Sequence, residues 1–333
     1  MLSIIIVNYR SAPLIIDCLQ SVYHYNFDLD FEIIIVDNHS RDESETTVRK
    51  EFPFVQWINM DYNAGYARGN NAGIKAAKGD IYLLLNPDTV AIDNSITQCC
   101  HSLQHSDCIA AGIQLINPDR SLQISGGYFV KGGLNHLLPI PYWGNFIRWL
   151  AYNTSQKIPH VAEAAETQEA DWINGAFLMV KKEAVKKAGL LDEDFFLYAE
   201  EIEWCSRLKK IGPLCIFGKL SIIHLQGETI NQSQKLNDKG YYNLYDKKGL
   251  QLMVSNHLRI RKQYGEGWFL FSLLNYTWGI IVFAIAGTLH CLFSFQNPVN
   301  KWRKLEAYTK NVFQLWKITP TILQNKKHFY KMF

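Results

Sequence analysis

Polar side chains stand at the ends of four apolar runs in the first ninety residues. The runs are Leu2–Asn8, Phe31–Asp37, Phe54–Asn59 and Ile81–Leu85. The residues that end or follow them are Asn8-Tyr9-Arg10, Asp37-Asn38, Asn63-Ala-Gly65 and Asn86-Pro-Asp88. Ligands of an open parallel sheet bind beyond the carboxyl ends of its strands, so these residues are the first candidates for a binding site. Asp37 suits contact with a ribose or a base, and it equally suits a helix cap.

The segment Asn63–Gly73 holds three glycines and three asparagines. Small residues let a ligand approach the backbone, and a helix that begins here offers N–H donors to an anion. A turn followed by close helix packing explains the same composition, and the sequence leaves both interpretations open. The sequence contains no GxGxxG and no GxxxxGK[ST], so the phosphate-binding loops of dinucleotide and P-loop proteins are not expected.

Two further features carry side chains suited to chemistry. His224 closes an apolar run, where a lone histidine is more often part of a core than a ligand. A helix predicted from about Glu200 to Ile211 begins among many carboxylates, more than a favourable helix dipole alone explains. These carboxylates are Asp192, Asp194, Glu200, Glu201 and Glu203.

The elements that would position these residues alternate between strand and helix. Helices are predicted over Ala12–Tyr25, from a Ser40–Glu43 capping box to about Phe52, and over Tyr66–Lys78. Apolar strands without alternation, separated by helices, predict an α/β fold with a parallel sheet covered on both faces. Trp172–Lys181 reads as one strand, residues 134–165 as a loop-rich insertion, and the chain as helical from about residue 241.

Composition places the chain among globular proteins and excludes disordered, collagen-like and coiled-coil classes. Its 333 residues are 48% hydrophobic and carry a net charge of +3, too weak to indicate nucleic acid. Seven cysteines without CxxC spacing predict the reduced thiols of a cytosolic chain. Residues 301–333 hold eight Lys or Arg against one acidic residue, Glu306, which predicts contact with an anionic surface.

Six motifs, taken in order, resemble the inverting glycosyltransferases of family 2, most closely the rhamnosyltransferase branch that builds bacterial surface polysaccharides. They are Val36–Asp42, Asn63–Asn71, Leu85–Thr89, Trp172–Phe177, Asp192–Arg207, and His224 with Gly227. The resemblance covers about residues 2–230. It implies a GT-A fold, that is, a Rossmann-like nucleotide-binding sheet with helices on both faces. The expected domains are a glycosyltransferase domain over 1–240 and a helical, membrane-associated region over 241–333.

The resemblance also implies a donor, a nucleoside-diphosphate sugar. Asp37 would accept a hydrogen bond from the N3–H of the base, and Arg68 and Asn70 would flank the base or the ribose. The residues expected to bind the donor nucleotide are Asn8, Tyr9, Arg10, Asp37, Asn63, Gly65, Arg68, Asn70 and Asn86.

A metal site and a base follow from the same resemblance. Asn86-Pro-Asp88 would be a variant of the Asp-x-Asp motif, in which Asp88 and His224 hold Mn²⁺ or Mg²⁺; an imidazole ligand favours Mn²⁺. A hard cation neutralises charge on a diphosphate leaving group. Glu201 is expected to be the catalytic base with Glu200 as its support. The residues expected to contact the acceptor or donor sugar are Trp172, Asn174 and Gly175.

The expected function is inverting transfer of a sugar to a glycan acceptor linked to polyprenyl diphosphate. The alternative is a non-catalytic GT-A-fold scaffold subunit of a polysaccharide assembly complex. Asn86 and Glu201 keep this alternative open, because the family has aspartate at both positions. A nucleotidyltransferase would need a Gly-rich basic loop after the first strand, which residues 8–12 do not provide.

The stretch between Glu266 and Lys301 carries no Asp, Glu, Lys or Arg. It is long enough to span a bilayer, which needs ~20 residues, although a buried helical hairpin has the same pattern. A single crossing would place the basic residues 301–333 opposite the cytosol, against the positive-inside rule. The sequence therefore predicts helices lying in the cytoplasmic leaflet of the inner membrane. The tryptophans expected near the interface are Trp268, Trp278, Trp302 and Trp316.

Overall fold

The computed structural model describes residues 1–26, 28–153, 159–225, 243–295 and 297–333. The chain forms two compact units. The first unit comprises Met1–Tyr128, His160–Glu193 and Glu200–Asn237, and the second comprises Phe129–Pro159, Asp194–Ala199 and Asp238–Phe333. The domain boundary near residue 240 stays a prediction.

All the strands described lie in the first unit. They are β1 (Leu2–Asn8), β2 (Phe31–Asp37), β3 (Gln56–Asn59), β4 (Ile81–Leu85), β5 (Thr89–Val90), β6 (Ala110–Ile116), β7 (Gly126–Gly127), β8 (His160–Val161), β9 (Gln168–Ala170), β10 (Trp172–Ile173), β11 (Phe177–Lys181) and β12 (Leu214–His224). The main sheet has the order β3-β2-β1-β4-β11-β6-β12-β5, with β9 paired to β12. A small second sheet has the order β10-β7-β8.

The helices of the first unit are α1 (Ala12–Tyr25), α2 (Ser44–Glu51), α3 (Gly65–Ala76), α4 (Ser95–Gln104), α6 (Lys182–Ala188) and α7 (Glu200–Leu208). Those of the second unit are α5 (Trp143–Asn153), α8 (Lys247–Tyr264), α9 (Glu266–Ser294) and α10 (Val299–Gln324).

Both faces of the main sheet are covered, as the apolar strands predict. Alternate residues of a strand point to opposite faces. Ile4 and Ile6 of β1 lie in a buried cluster with Ile15 of α1. On the opposite face of β1, glycines of α3 pack against Ile5 and Val7. A Cβ at Gly73 would lie only 2.4 Å from Ile5 Cγ2. The α/β class is therefore confirmed.

The sheet is mixed rather than fully parallel, which corrects the sequence prediction. Strands β1 to β4 pair with one another in parallel. Strand β11 instead runs antiparallel to β4 and β6. The reason is a turn at residues 174–176, which divides the predicted strand Trp172–Lys181 into β10 and β11 and reverses the entry of β11 into the sheet.

The second unit is a helical assembly around large buried side chains. Helix α9 contacts both α8 and α10: the His257 and Tyr276 rings lie 4.9 Å apart, and the Tyr308 hydroxyl donates to the Tyr276 carbonyl at 2.8 Å. The predicted helical region after residue 241 is confirmed. The predicted loop-rich insertion over 134–165 is wrong, because a short 3-10 helix (Lys131–Leu137) and α5 occupy much of it.

One cysteine pair departs from the predicted reduced state. Cys108 and Cys215 form a disulfide with their Cα atoms 6.1 Å apart. The five other cysteines are free and buried. The pairing joins the chain just before β6 to β12, two strands that already lie side by side in the sheet.

Candidate functional site

The ends of β1 and β2 form a hydrogen-bond network where the sequence predicts the donor nucleotide, and this part of the site is called the nucleotide end after that prediction. Asn8 and Asp37 are opposite one another in the parallel ladder. Asn8 Nδ2 donates to Asp37 Oδ1 at 2.6 Å, and the Ser40 amide donates to Asp37 Oδ2 at 3.0 Å. Asn8 Oδ1 accepts from the Ser11 amide and hydroxyl. The Asp37 carboxylate is thus held in one orientation, with lone pairs left for a further donor.

Ser40 supports this network instead of capping α2. Helix α2 begins at Ser44, so the predicted capping box is wrong. The Ser40 hydroxyl accepts from the Arg10 amide at 2.9 Å, and the Arg10 guanidinium lies 5.5 Å from the Tyr9 ring. Arg10 has a φ of 55°. Strained backbone of this kind in a non-glycine residue is typical of ligand-binding loops.

Asn38 holds the Gly-rich segment Asn63–Gly73 beside the end of β2 by hydrogen bonds. Its Oδ1 accepts from the Ala64 amide at 2.7 Å, and its Nδ2 donates to Asn63 Oδ1 at 2.9 Å. Gly65, with a φ of 77°, makes the turn into α3. Asn63 and Gly65 therefore lie beside the ends of β1 and β2, where the sequence places the donor nucleotide.

Close packing accounts for the other glycines of this segment. A Cβ at Gly69 would lie 3.0 Å from Val7 Cγ1, and the corresponding contact at Gly73 is shorter still. Asn70 is only 1% exposed and donates to the Tyr66 carbonyl at 3.0 Å. Arg68 is partly exposed, and its Nε donates to the Glu193 carbonyl at 2.9 Å. Of the two residues expected to flank the nucleotide, Arg68 is thus the accessible one.

Strand pairing brings together the two predicted metal ligands, Asp88 and His224, and this part of the site is called the metal end after that prediction. Thr89 of β5 is opposite His224 of β12, and the Leu225 amide donates to the Asp88 carbonyl at 2.9 Å. The two side chains are buried, and Asp88 Oδ1 lies 3.6 Å from His224 Nε2. Gly227, the last residue of the motif, lies outside the described residues.

The tautomer of His224 follows from its neighbour. His224 Nδ1 lies 2.9 Å from Gln123 Oε1, while Gln123 Nε2 donates to the His224 carbonyl and to Asn117 Oδ1. An amide oxygen only accepts, so Nδ1 carries a proton and Nε2 is the ring nitrogen directed to Asp88. Gln123 was not predicted, because it lies about a hundred residues from His224 in the chain and no local pattern connects them.

A cation fits between these two groups. Asp88 Oδ1 is buried and has no hydrogen-bond partner among the described residues. At 3.6 Å the separation from Nε2 is too long for a hydrogen bond, so the carboxylate oxygen and the imidazole nitrogen lie close together without one. A histidine fixed by a second-sphere acceptor at its other nitrogen is typical of metal ligands. Among the described residues no group of three or more His, Cys, Asp or Glu side chains could hold a metal.

The turn at residues 174–176 connects the remaining candidates. The Asn86 amide donates to the Ala176 carbonyl at 3.0 Å, and the Tyr66 hydroxyl donates to the Gly175 carbonyl at 2.7 Å. A Cβ at Gly175 would lie 3.5 Å from Glu201 Cβ and Cγ. The turn therefore contacts the Asp88 segment, α3 and the first turn of α7.

Two residues beside this turn have structural contacts of their own. Asn174 shapes the turn, because its Oδ1 accepts from the Ala176 amide at 2.9 Å. Trp172 is partly buried in β10, where its carbonyl would lie 2.4 Å from a Cβ at Gly126.

The carboxylates near the start of α7 separate into two groups. Glu203 forms a bidentate ion pair with Arg207, and Asp194, in the second unit, pairs with Lys262 at 2.7 Å. Glu200 is 3% exposed, and Glu201 is partly exposed. Glu203 and Asp194 thus have structural roles. Glu200 and Glu201 remain the candidates for the catalytic base and its support.

Tyr66 links the metal end to these glutamates. Burial raises the pKa of its hydroxyl well above the usual range, and the negative charges of Glu200, Glu201 and Asp88 raise it further. The Tyr66 hydroxyl donates to the Gly175 carbonyl, so it contacts the turn that packs against Glu201. Sequence reasoning missed Tyr66, although its position within the Asn63–Gly73 motif was a usable signal.

Comparison with known proteins supports the resemblance. The family model described as glycosyl transferase family 2 matches residues 3–162. The low-salt glycan biosynthesis hexosyltransferase Agl10 of Haloferax volcanii is 25% identical over 63% of this chain and 62% of its own length. An N-acetylglucosaminyl-diphospho-decaprenol L-rhamnosyltransferase of Mycobacterium tuberculosis is 24% identical over 56% of this chain and 63% of its own. These matches thus span under two thirds of either relative.

Solved structures share the fold at lower sequence identity. A mannosyltransferase from Pyrobaculum calidifontis, solved in complex with GDP-Man and Mn²⁺, superposes with a TM-score of 0.55 at 15% identity, covering 95% of this chain and 87% of its own. GalNAc-T7, solved with UDP, GalNAc and Mn²⁺, gives a TM-score of 0.51 at 14% identity. The match covers 81% of this chain and 56% of GalNAc-T7.

Proposed function

Because this chain belongs to glycosyl transferase family 2, we propose that it transfers a sugar, with inversion, from a nucleoside-diphosphate sugar to a glycan acceptor. The observation that carries the proposal is the buried pair of Asp88 and His224, in which Asp88 Oδ1 lies 3.6 Å from His224 Nε2 and has no hydrogen-bond partner among the described residues. Asp88 and His224 suit the leaving-group side of such a reaction, and Glu201 suits the acceptor side.

The donor nucleotide would lie at the nucleotide end. Asp37, fixed by Asn8 and Ser40, would accept from the base N3–H. Tyr9 and Arg10 would line the nucleoside, and the partly exposed Arg68 would flank the base or ribose. Asn70, being 1% exposed, would act by holding the first turn of α3 through the Tyr66 carbonyl.

Asp88 and His224 would hold one Mn²⁺ or Mg²⁺, and the donor diphosphate and water would complete its ligands. Such an ion, when bound, neutralises charge on the leaving diphosphate. Asn86 contributes no charge, so Asp88 is the anionic ligand of this motif. Gln123 would keep His224 in the tautomer that leaves Nε2 available.

Glu201 would take the proton from the acceptor hydroxyl as that oxygen attacks the anomeric carbon. The new glycosidic C–O bond forms on one face while the C–O bond to the diphosphate breaks on the other. The electron pair leaves with the nucleoside diphosphate, and one displacement inverts the anomeric configuration. Asn174 and Gly175 would border the reacting sugar, because the turn contacts Glu201.

The acceptor would be a glycan on polyprenyl diphosphate, in bacterial surface polysaccharide synthesis. The name of the mycobacterial relative supports this class, since it includes a decaprenyl-diphosphate-linked sugar. The same name favours a rhamnosyl donor. Sugar nucleotides are cytosolic, so the enzyme would work at the cytoplasmic face of the inner membrane.

The test is nucleotide release from a panel of sugar nucleotides, with and without a polyprenyl-diphosphate-linked glycan. Asp88→Ala and a chelator should each abolish release in the presence of the acceptor. Glu183→Gln, on the exposed face of α6, is the control carboxylate change. Undiminished release after both treatments would contradict the metal site. No release from any donor would favour the scaffold alternative, which Asn86 keeps open.

A further inference from the structure

Helix α9 is apolar on two faces, and one of them is exposed. Phe269, Leu273 and Tyr276 are buried within the second unit. On the exposed face, Leu274, Trp278, Ile281 and Ile285 recur at the spacing of helical turns, and Leu274 and Ile285 are 58% and 59% exposed. The helix meets the length and composition of a membrane span, but only 33% of its most apolar window is buried. An uncovered stripe of this length marks an interaction surface.

Helix α5 adds exposed aromatic residues beside the apolar stripe of α9. Its Trp143, Phe146 and Trp149 rings stack in a row, with centroids 5.3 and 5.9 Å apart. Trp143 joins the row to α9: its Nε1 donates to Asn275 Oδ1 at 2.9 Å, and its ring lies 6.5 Å from that of Trp278. Trp149 is 60% exposed. The two helices thus present one apolar area.

We propose that this area, the docking surface of Phe146, Trp149, Leu274, Trp278, Ile281 and Ile285, lies in one leaflet of an anionic membrane. The proposal deepens the proposed function, on which it rests, by naming the surface that would hold the enzyme at its lipid-linked acceptor. Charge argues for this occupant. Helix α10, which packs against α9, carries the exposed cations Arg303, Lys310 and Lys317. A second copy of the chain would bring a second basic helix to the interface, where like charges repel.

The polar groups of α9 suit an apolar environment. The hydroxyls of Thr277, Thr288 and Ser294 each donate to the carbonyl four residues earlier. Serine and threonine satisfied in this way leave the helix surface without free hydroxyl donors.

The packing of the other face opposes a full crossing. The Tyr142 ring lies 5.6 Å from that of Phe283, near the middle of α9, and Lys301 Nζ lies 5.9 Å from the same Tyr142 ring. Lys304 lies 5.4 Å from the Tyr245 ring, which also contacts Phe283. A bilayer-spanning α9 would carry these ammonium groups into the hydrocarbon, where charges are strongly disfavoured. A helix in one leaflet keeps them at the headgroups.

The experiment is sedimentation of the full chain with vesicles containing roughly a quarter phosphatidylglycerol in phosphatidylcholine. The double variant Leu274→Asp/Ile285→Asp should lower the bound fraction at least about tenfold, because it removes two apolar side chains from the lipid. Trp149→Ser should lower it less. Phe54→Asp is the matched control, since Phe54 is 65% exposed but lies in the first unit. Thermal melting of each variant establishes that it is folded.

Undiminished binding by the folded double variant would overturn the proposal. Equal binding of the wild type to pure phosphatidylcholine would also overturn it. So would a wild-type protein that does not bind vesicles and is a dimer by light scattering, if the double variant is a monomer. Protection of a tag placed after Phe333 from external protease would establish a crossing and overturn the one-leaflet arrangement. A short-chain, water-soluble acceptor separates the two hypotheses. The double variant should still glycosylate this acceptor. If wild type binds vesicles but does not glycosylate the acceptor, the proposed function is contradicted and the membrane-docking proposal is not.

Discussion

The two ends of the candidate site differ in how their polar atoms are satisfied. At the nucleotide end, both oxygens of Asp37 accept hydrogen bonds from the protein, and Asn8 is bonded through both atoms of its amide. At the metal end, Asp88 Oδ1 is buried with no hydrogen-bond partner among the described residues and lies 3.6 Å from His224 Nε2. Buried polar groups are nearly always paired, so the metal end is the exception that a ligand would complete. The hydrogen bonds of the nucleotide end therefore stabilise the fold without a ligand, whereas Asp88 Oδ1 has no such bond among the described residues.

The largest effect is expected at the base. Glu201→Gln should lower the transfer rate ~10²–10⁴-fold, because the amide cannot accept the acceptor proton. Donor binding, measured by calorimetry, should change little. Glu183→Gln serves as the control. If Glu200→Gln proves more damaging than Glu201→Gln, the roles of the two residues are exchanged.

Gln123 offers the next test, because it acts on the metal end through His224. Gln123→Met removes the acceptor for Nδ1–H, and the apparent affinity for Mn²⁺ should fall ~10–100-fold. Titration of activity with Mn²⁺ measures this, and saturating metal should restore most of the rate. Gln98→Met, an exposed change on α4, is the control. Unchanged affinity would remove Gln123 from the site.

Stability compares the two ends directly. Asn8→Ala should lower the free energy of unfolding by about 1–3 kcal/mol, because it leaves buried partners unsatisfied. Asp88→Asn should leave it unchanged or raise it in metal-free buffer, since Asp88 Oδ1 is buried with no hydrogen-bond partner among the described residues. Denaturant melts measure both, and Asn59→Ala is an exposed strand-end control. An Asp88→Asn protein less stable than Asn8→Ala would reverse the comparison.

The smallest effect is expected at Tyr66. Tyr66→Phe removes one hydrogen bond to the Gly175 carbonyl, worth about 1 kcal/mol, so kcat should fall several-fold. The KM for the donor should stay constant, because the hydroxyl holds the turn beside Glu201 and not the nucleotide. Tyr25→Phe, at an exposed position, is the control. A change confined to donor KM would place Tyr66 at the nucleotide end.

Sequence reasoning was strongest where one pattern determined the structure. The continuous apolar runs of β1, β2 and β4 specified buried parallel strands, and their bounds agree with the structure. Trp172–Lys181 was less tractable, because its apolar composition hides the turn made by the Asn174 side chain. An asparagine followed by glycine is a turn signal that could have divided this strand. Helix α5 went unrecognised because prolines precede it and its aromatic face is exposed, although Trp143, Phe146 and Trp149 recur at helical spacing.

Within the candidate site, the family resemblance named Asp88 and His224 together, but sequence reasoning did not find the strand pairing that joins them or the other residues that contact them. Asp88 and His224 meet because β5 pairs with β12, a contact between segments far apart in the chain. Gln123 depends on the same tertiary pairing. For Ser40, the local capping pattern competed with a long-range role, and the bonds to Asn8 and Arg10 prevailed.

The bond between Cys108 and Cys215 ties the stability of the protein to its surroundings. It closes a loop with a sequence separation of 107 residues, which the chain-entropy account values at roughly 4–5 kcal/mol against the unfolded state. The cytosol keeps thiols reduced. There β6 and β12 would be held together by their hydrogen bonds and core packing, without the disulfide. Protein purified in air would then resist heat better than the same protein inside a cell. Melting curves recorded with and without reductant would reveal how large that difference is.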